Sequence, residues 1–201
     1  MASPGSGVVR REKKSDARSE HMGELAMLFL TEPSAKYKES FLEGLREFQE
    51  EGTLLQYNLP RLTADFDDYL RHVNRVYNRA SMPPYFVPDT RYWLIEGDED
   101  NGVYVGNLTV RHELNELLLK VGGHIGYQIR PSWRRQGYGR EILRLGLQKA
   151  RALGITRALV TCDETNIASK KVIEYNGGQF ENAVYVEGSA VKKLRYWIDI
   201  V

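Results

Sequence analysis

The sequence predicts a single α/β domain of the α+β class, in which a mostly antiparallel twisted sheet is flanked by helices. Three strand-like segments, 91–96, 103–112 and 123–129, follow one another across turn-rich connections, as in an antiparallel meander. The third strand leads through a glycine loop into an amphipathic helix, and a further strand and helix follow. Two more strand-like segments, 179–186 and 191–200, predict a closing hairpin. This order favours a mixed fold over a repeat protein or a doubly wound sheet.

The length and composition of the chain are those of one domain with a full core. It has 201 residues, of which 42% are hydrophobic. The formal net charge of +1, from 28 basic and 27 acidic residues, gives no general attraction to nucleic acid or to an anionic membrane. The longest continuous apolar run, residues 25–30, is far too short to span a bilayer. Nucleic acid and membrane are therefore not expected as partners.

Cys162 is the only cysteine in the sequence. The chain therefore has no intrachain disulfide, which fits a reducing compartment and a cytoplasmic location. Because Cys162 lies in an apolar strand-like segment, 156–162, it is predicted to be a core residue rather than a nucleophile.

Residues 1–21 differ in composition from the rest of the sequence. Their first part is turn-rich, and residues 10–20 are a run of mixed charge with almost no apolar residues. Such a segment buries too little apolar surface to order itself, and it lacks the apolar stretch of a secretory signal. Residues 1–21 are therefore predicted to be a disordered arm or an expression tag, with Met22 as a candidate natural start. The folded domain is assigned to residues 22–201.

Two amphipathic helices are predicted before the sheet. The first extends from residue 34 to about residue 51 and is ended by Gly52. The second is predicted to have Thr63 as its N-cap and to continue to about Arg79. Aspartates in its first turn suit the positive end of the helix dipole.

The most informative stretch is the basic glycine loop Arg134-Arg135-Gln136-Gly137-Tyr138-Gly139. It connects the strand 123–129, which Pro131 ends, to a helix that is closed by Gly154. A helix start exposes N–H groups without intrahelical partners, and the helix dipole adds partial positive charge there. Glycines let an anion approach the backbone, and the arginines add full positive charge. The loop therefore predicts a phosphate ligand, although its spacing matches neither a P-loop nor a Gly-x-Gly-x-x-Gly loop.

The segment Ile-Arg-Pro-Ser-Trp-Arg-Arg-Gln-Gly-Tyr-Gly, residues 129–139, resembles the acetyl-CoA loop of the GNAT superfamily of N-acetyltransferases. The resemblance continues through the strand 156–162 and the helical segment 166–178, and it covers roughly residues 91–201. It implies the GNAT fold, in which two parallel central strands splay apart. It also implies transfer of the acetyl group of acetyl-CoA to a primary amine of a small molecule, an amino acid or a protein, without a metal. Because this fold often dimerises, a homodimer is a further expectation.

The resemblance also assigns the residues that contact the cofactor. The backbone of Tyr127 and Ile129 is expected to bind the pantetheine arm between the splayed strands. The loop residues are expected to hold the diphosphate: Arg134, Arg135, Gln136, Gly137, Tyr138, Gly139 and Arg140. Asn166 resembles the family asparagine that contacts the cofactor, and it also fits as an ordinary helix N-cap. The two roles of Asn166 are compatible.

Acetyl transfer needs a group that takes a proton from the amine, whose pKa is about 10.4 if it resembles lysine. His124, at the start of the central strand, and Glu96 are the candidate bases, with His112 as a further one. Many family members place a tyrosine acid seven residues after the helix asparagine, but this sequence has Ile173 there. No tyrosine acid is therefore assigned. The CoA thiolate then leaves unassisted or takes its proton from another residue or a water.

Two other functions stay open at the level of sequence. One is a non-catalytic CoA-binding module, which Ile173 and the unassigned base would allow. The other is a transferase that uses a different acyl donor, and a tRNA-based donor is disfavoured because the chain has no basic excess. The segment 82–88 either frames the acceptor site, as in the family, or is a plain connector. Four aromatic residues either line an apolar pocket or belong to the core: Tyr85, Phe86, Tyr92 and Trp93.

Overall fold

The computed structural model describes residues 27–75, 82–83 and 85–201. The predicted disordered arm, residues 1–21, and the predicted end of the second helix near Arg79 lie outside the described residues. Among the helices of the described ranges, none combines the length and the hydrophobicity that a transmembrane span requires.

The strands of the described ranges form two antiparallel sheets. The first sheet has the order β1-β2-β3-β4: Leu28–Thr31, Asp89–Glu96, Val103–Arg111 and Ile125–Ile129. The second sheet has the order β5-β7-β6, in which β5 is Arg157–Asp163, β6 is Gln179–Val184 and β7 is Lys193–Asp199. All of these pairings are antiparallel, so the prediction of a mostly antiparallel sheet is confirmed. The predicted closing hairpin is the β6–β7 pair.

Five α-helices of the described ranges flank the sheets. They are α1 Lys38–Glu50, α2 Leu59–Ala64, α3 Phe66–Val73, α4 Tyr138–Ala152 and α5 Ile167–Tyr175. Gly52 follows α1 with φ +78° and Gly154 follows α4 with φ +83°, as expected for residues that end a helix. A 3-10 turn, Pro131–Trp133, separates β4 from the basic glycine loop, and a π-helical turn, Leu118–Gly122, precedes β4.

Each face of the first sheet carries its own apolar core. On one face, α4 and α5 cover Leu94 and Leu108. On the other face, α1, α2 and α3 cover Trp93, whose ring stacks on Phe41 with the centroids 4.4 Å apart. Because neighbouring residues of a strand point to opposite faces, Trp93 and Leu94 enter different cores. A ligand site on the α1–α3 side is therefore separated by the sheet from the α4 core.

The structure settles the position of several residues that sequence leaves open. Tyr92 and Trp93 are buried, at 9% and 2% exposure, whereas Tyr85 and Phe86 are exposed on the surface. Cys162 is 5% exposed and belongs to the α4 core, as predicted.

The predicted N-cap of the second helix is wrong. Thr63 lies inside the short helix α2, where its hydroxyl donates to the carbonyl of Leu59 at 2.9 Å. Asp65 instead caps α3, and its carboxylate accepts the N–H of Asp68 at 2.9 Å. The extra helix arises because Asn58 provides an earlier cap, followed by a proline in the first turn.

Strand β1 was not expected from the sequence. The apolar run 25–30 shows no alternation, so its own pattern does not specify a strand. Residues Leu28–Thr31 become a strand by pairing with residues 93–96 of β2, far along the chain. The strand is thus determined by a tertiary partner rather than by local sequence.

Strands β4 and β5 are at the edges of different sheets and approach each other beside His124. The N–H of His124 donates to the carbonyl of Leu159 at 2.7 Å. No ladder between β4 and β5 occurs within the described part of the chain. The splayed parallel pair that the resemblance implies therefore stays a prediction.

Candidate functional site

The basic glycine loop reaches α4 through a left-handed turn. Gly137 is the N-cap of α4 and has φ +96°. Apart from its chain neighbours, no described heavy atom lies within 4 Å of the position that a Cβ on Gly137 would occupy. Gly139, two residues later, faces α5, where a Cβ would lie 3.1 Å from Val172 Cγ2. Because a glycine N-cap has no side chain to bond the first N–H groups of the helix, the start of α4 is open to a ligand.

Arg135 and Arg140 provide the charge beside this helix start. Arg135 has φ +66° although it is not a glycine, and its side chain is exposed. A left-handed conformation costs a non-glycine residue roughly 1–2 kcal/mol, so the surrounding loop must hold it in place. The guanidinium of Arg140 lies over the ring of Tyr175 at 4.2 Å, which keeps it near the first turn of α4. The guanidinium of Arg140 is therefore held near the open helix end, and Arg135 lies two residues before the N-cap in the sequence.

Arg134 and Gln136 bond to the protein itself. Arg134 Nη1 lies 2.8 Å from Glu51 Oε2, and Arg134 Nε donates to the carbonyl of Ile129 at 3.0 Å. Gln136 Nε2 donates to the carbonyl of Ser132 at 3.1 Å. These two side chains shape the loop and are not free for a ligand. The predicted contact of Arg134 and Gln136 with the diphosphate is therefore proposed for their backbone groups.

Helix α1 fixes the start of the loop through carboxylates one turn apart. Glu47 Oε1 accepts from Arg130 Nε at 2.8 Å and from Ser132 Oγ at 2.9 Å. Glu47 Oε2 accepts the backbone N–H of Ser132 at 2.9 Å. Glu43 adds a longer contact to Arg130 at 3.4 Å. Glu51, one turn after Glu47, binds Arg134. The segment between β4 and the loop is thus tied to α1 at several points.

The pKa of Glu47 reflects this network. Burial alone would raise the pKa, but the hydrogen bonds from Ser132 and Arg130 and the charge of Arg130 outweigh burial and hold it below the ordinary glutamate value. Arg130 is only 9% exposed, and the Glu47 carboxylate at 2.8 Å compensates its buried positive charge. This network was not predicted from the sequence, where its local signal is the four-residue spacing of Glu43, Glu47 and Glu51 in and directly after α1.

Tyr127 of β4 is linked to the start of α5. Its hydroxyl lies 3.0 Å from Ser169 Oγ, and burial raises the pKa of Tyr127 to about 12. Asn166 is the N-cap of α5 and accepts the N–H of Ser169 at 3.0 Å, which confirms its capping role. Two predicted cofactor residues, Tyr127 and Asn166, therefore meet through Ser169, a residue that sequence analysis did not single out.

The ring of His124 is held in a defined hydrogen bond. Its Nδ1 accepts the N–H of Leu159 at 2.9 Å. An accepting Nδ1 leaves the ring proton on Nε2, so the neutral ring has no second lone pair with which to take a proton. Burial and the nearby charge of Arg111 both lower the pKa of His124, which keeps the ring neutral at neutral pH. This geometry argues against the prediction that His124 is the general base.

Glu96, the other candidate base, is bonded to the start of α4. The hydroxyl of Tyr138 donates to Glu96 Oε1 at 2.5 Å, and the Tyr138 ring packs edge-on against Trp133. This contact places the carboxylate on the α4 side of the sheet. In the structure Glu96 therefore anchors the first residue of α4.

A cavity of about 250 Å³ lies on the opposite face of the sheet, between β2, β3 and the α1–α3 helices. Its wall is aromatic and is formed mainly by Phe41, Tyr57, Tyr69 and Trp93. Its floor is polar and is formed by Asp89, Arg91, Asn107, Thr109 and Arg111. An apolar wall with a few placed polar groups is the usual composition of a small-ligand site.

A family model described as acetyltransferase (GNAT) domain matches residues 36–179. The chain belongs to the GNAT acetyltransferase family. This result confirms the predicted family, the acetyltransferase activity and acetyl-CoA as the donor that the family uses. No curated protein sequence matches the chain.

Solved GNAT structures share the fold over most of their length. Mycobacterium smegmatis RimJ in complex with CoA-disulfide aligns with a TM-score of 0.62 at 17% identity, covering 87% of this chain and 82% of that chain. The microcin C7 self-immunity acetyltransferase MccE, in complex with acetyl-CoA and AMP, aligns at 0.60 and 13%, covering 86% and 92%. The Salmonella typhimurium acetyltransferase that modifies the N-terminal serine of ribosomal protein L7/L12 aligns at 0.57 and 17%, covering 89% and 97%. At these identities the likeness shows the fold alone.

In this GNAT domain, the position at which many members carry a tyrosine acid belongs to the core. Ile173 is completely buried in the α4 core. Tyr175, two residues later, is 62% exposed and lies under Arg140, so it does not replace the missing tyrosine. Any residue that gives a proton to the CoA sulfur is therefore neither Ile173 nor Tyr175.

The Glu96–Tyr138 bond predicts an outcome unlike that of a catalytic base. Glu96→Gln keeps an oxygen that accepts from Tyr138, so we expect kcat within roughly threefold of the parent, against the 10²–10⁴-fold loss typical of a general base. Tyr138→Phe removes one hydrogen bond at the helix start, and we expect the Kd for CoA to rise about fivefold. Steady-state kinetics and calorimetry measure both effects. A hundredfold fall in kcat for Glu96→Gln at unchanged CoA affinity would restore Glu96 as the base.

Proposed function

We propose that this GNAT acetyltransferase binds the diphosphate of acetyl-CoA at the open start of α4. The observation that carries this proposal is the uncovered Gly137 N-cap with Arg135 and Arg140 beside it. A diphosphate gains there from unpaired N–H groups, from the helix dipole and from charge-assisted bonds to guanidinium groups.

The pantetheine arm is proposed to extend along β4. Among the strands of the described residues, β4 pairs with β3 alone, so its backbone groups on the other side suit the amides of pantetheine, much as an edge strand accepts an added strand. Tyr127 and Ile129 lie on this strand, and Asn166 is joined to Tyr127 through Ser169. A splayed β4–β5 pair is the arrangement that this binding mode requires.

Acetyl-CoA supplies the acetyl group as a thioester. The acceptor nitrogen bonds to the carbonyl carbon, the C–S bond breaks, the amine loses one proton and the CoA sulfur gains one. An N–H of β4 is suited to stabilise the carbonyl oxygen as it becomes negative. Tyr127 and Ser169 are the proposed proton donors to the sulfur, since the raised pKa of Tyr127 keeps its hydroxyl protonated at neutral pH.

The assignment of Tyr127 gives a kinetic prediction. Tyr127→Phe is expected to lower kcat roughly tenfold, less than the full effect of a general acid because Ser169 would remain as the second proposed donor. The Kd for CoA should change little, because the proposed cofactor contact is with the Tyr127 backbone. Steady-state thiol release and calorimetric titration measure the two quantities. An unchanged kcat would remove Tyr127 from the proposed chemistry.

The bonding of His124 predicts a small catalytic effect for its replacement. In His124→Asn, the side-chain oxygen lies near the position of Nδ1 and can accept the hydrogen bond from the Leu159 N–H. We expect kcat within roughly threefold of the parent at neutral pH, because the ring has no free lone pair for proton transfer. Thermal unfolding serves as the control for folding. A steep fall in kcat with normal unfolding would show that His124 does act as the base.

Two assays test the proposed function against its alternatives. Calorimetric titration with acetyl-CoA, longer acyl-CoAs and free CoA identifies the donor, and thiol release across a panel of amines detects turnover. We expect acetyl-CoA to bind and to be consumed with at least one primary amine. Binding without thiol release would favour a non-catalytic CoA-binding module, and preference for a longer acyl-CoA would favour a different donor.

The homodimer is proposed from the family resemblance alone, and the cytoplasmic location is proposed from the single cysteine of the sequence. Sedimentation equilibrium of the purified protein tests the first, and fractionation of the cells that naturally make it tests the second.

A further inference from the structure

The floor of the cavity on the α1–α3 face is formed by residues that the pairing of β2, β3 and β4 places side by side. Arg91 of β2 pairs with Thr109 of β3, which pairs with Gly126 of β4. The neighbouring row on the same face pairs Asp89 with Arg111. Residues two apart on a strand share a face, so these side chains lie together beneath the α1–α3 helices.

Arg111 reaches from β3 across to β4. Its Nη1 donates to the carbonyls of Gly122 and Gly123 at 3.2 Å and 3.0 Å. The same nitrogen lies 3.9 Å from the position that a Cβ on Gly126 would occupy. A fixed, partly buried guanidinium is therefore adjacent to the strand along which pantetheine is proposed to bind.

The described lining of the cavity carries one more positive than negative group. Arg91 and Arg111 face one carboxylate, Asp89, which lies 3.6 Å from Arg91 Nε. That distance is too long for a good hydrogen bond, so Asp89 does not fully occupy the guanidinium. Burial lowers the pKa of Arg111 and Asp89 raises it, and an arginine stays charged at neutral pH. The surplus positive charge attracts a carboxylate and repels an additional ammonium group.

The wall above this floor is a rigid aromatic surface. Phe41 stacks on Tyr69 at 5.3 Å and on Trp93 at 4.4 Å between ring centroids. Trp93 also lies edge-on to Tyr104 at 5.4 Å. These buried rings hold Tyr69 in place, and Tyr69 lies edge-on to Tyr57 at 6.0 Å between ring centroids. Tyr57 and Tyr69 are only partly buried and line the cavity, so an apolar or planar group can pack on them.

We infer that the acceptor is a primary amine that carries a carboxylate near its nitrogen together with an apolar group. The carboxylate binds Arg91 and Arg111, the apolar group packs against the partly exposed rings of Tyr57 and Tyr69, and the amine points over Gly126 toward β4. The guanidinium charge beside the amine also favours its neutral, reactive form. This inference rests on the proposed function and names the substrate class of the same site.

Such an acceptor is either a free amino acid or the N-terminal residue of a peptide whose side chain carries the carboxylate. Matched pairs of compounds distinguish these two sources. Phenylalanine and phenylalaninamide differ in the carboxylate of a free amino acid. Two peptides with amidated C-termini, one beginning with glutamate and one with glutamine, differ in the carboxylate of an N-terminal residue. Spermidine is the polycationic reference. The measurements are kcat/KM from thiol release with acetyl-CoA, and calorimetric binding of each compound to the protein saturated with CoA.

We expect the carboxylate member of one pair to be preferred by about tenfold or more, as one charge-assisted hydrogen bond would give. The pair that shows this preference identifies the source. Equal or better binding and turnover of the neutral member in both pairs, or of spermidine over every carboxylate compound, would overturn the inference. Absence of binding by every carboxylate compound would overturn it as well.

Arg91→Gln provides the matching test on the protein. We expect the KM of the preferred carboxylate acceptor to rise about tenfold and that of its neutral partner to stay within about twofold. Arg71→Gln removes an exposed arginine of α3 that pairs with Asp68, and it should change neither value. An equal rise for both acceptors would show a role in the fold and would refute the inference.

The two levels of proposal fail in different ways. Protein that does not bind CoA contradicts the proposed function. Protein that binds CoA and acetylates only amines without a carboxylate retains the proposed function and refutes the acceptor class.

Discussion

Replacing Gly137 by valine is expected to weaken CoA binding by at least about a hundredfold, the loss of two charge-assisted hydrogen bonds to an anion. Gly137 has φ +96°, and no described heavy atom beyond its chain neighbours lies within 4 Å of its Cβ position. A valine side chain would therefore enter open space at the start of α4, where the diphosphate is proposed to bind. It would also favour a different backbone angle and turn the first N–H groups away from the ligand.

The same helix supplies a matched control for this prediction. Gly154 follows the other end of α4 with φ +83°, and there too no described heavy atom beyond the chain neighbours lies within 4 Å of the Cβ position. Gly154→Val therefore imposes a similar backbone strain of roughly 1–2 kcal/mol without touching the loop. Calorimetric titration with CoA and thermal unfolding of both variants separate binding from stability. Tight CoA binding by Gly137→Val would contradict the loop assignment, and equal losses in both variants would show a general effect of strain.

The loop could be predicted from the sequence because its determinants are local. A strand ended by Pro131, two glycines and a cluster of arginines occur within ten residues or so of one another. The left-handed angle at Gly154 follows from the needs of a helix end. The capping role of Asn166 is local in the same sense, since its partner is the N–H of Ser169 on the next turn.

The chemical state of the site residues could not be predicted, because it depends on partners that are distant along the chain. The lone pair of His124 Nδ1 is taken by the N–H of Leu159, which is 35 residues away. Arg130 is neutralised by Glu47 over a separation of 83 residues. A histidine in a strand has the same local sequence whether its ring is free or bonded, so only the tertiary structure distinguishes a base from a bonded residue.

Replacing Glu47 by alanine is expected to lower the free energy of unfolding by about 2–3 kcal/mol. This is slightly less than the usual cost of breaking a buried ion pair, because Arg130 keeps its contact with Glu43. Arg130 is only 9% exposed, and the variant removes the carboxylate nearest to its guanidinium. It also removes both bonds to Ser132, at the start of the turn that leads into the loop. We therefore expect weaker CoA binding together with the loss of stability.

Glu50→Ala is the control, since Glu50 is an exposed glutamate of the same helix. Urea unfolding of the parent and both variants gives the free energies, and titration with CoA gives the affinities. Equal stability of Glu47→Ala and Glu50→Ala would show that the network contributes nothing to folding. Reduced stability with unchanged CoA affinity would show that α1 supports the fold without shaping the loop.

The pH dependence of stability gives an independent check on Glu47. Its pKa is lower in the folded protein than in the unfolded chain, because the bonds from Ser132 and Arg130 favour the charged form over the effect of burial. The unfolded chain therefore binds its proton first as the pH falls. The stabilisation from Glu47 is fully present above the ordinary carboxyl pKa, and it is lost as the pH falls through the lowered folded pKa. Glu47→Gln should thus be less stable than the parent at neutral pH, and the gap should narrow below about pH 4. A gap of constant size across this range would mean that the charge of Glu47 is not what stabilises the α1–loop contact.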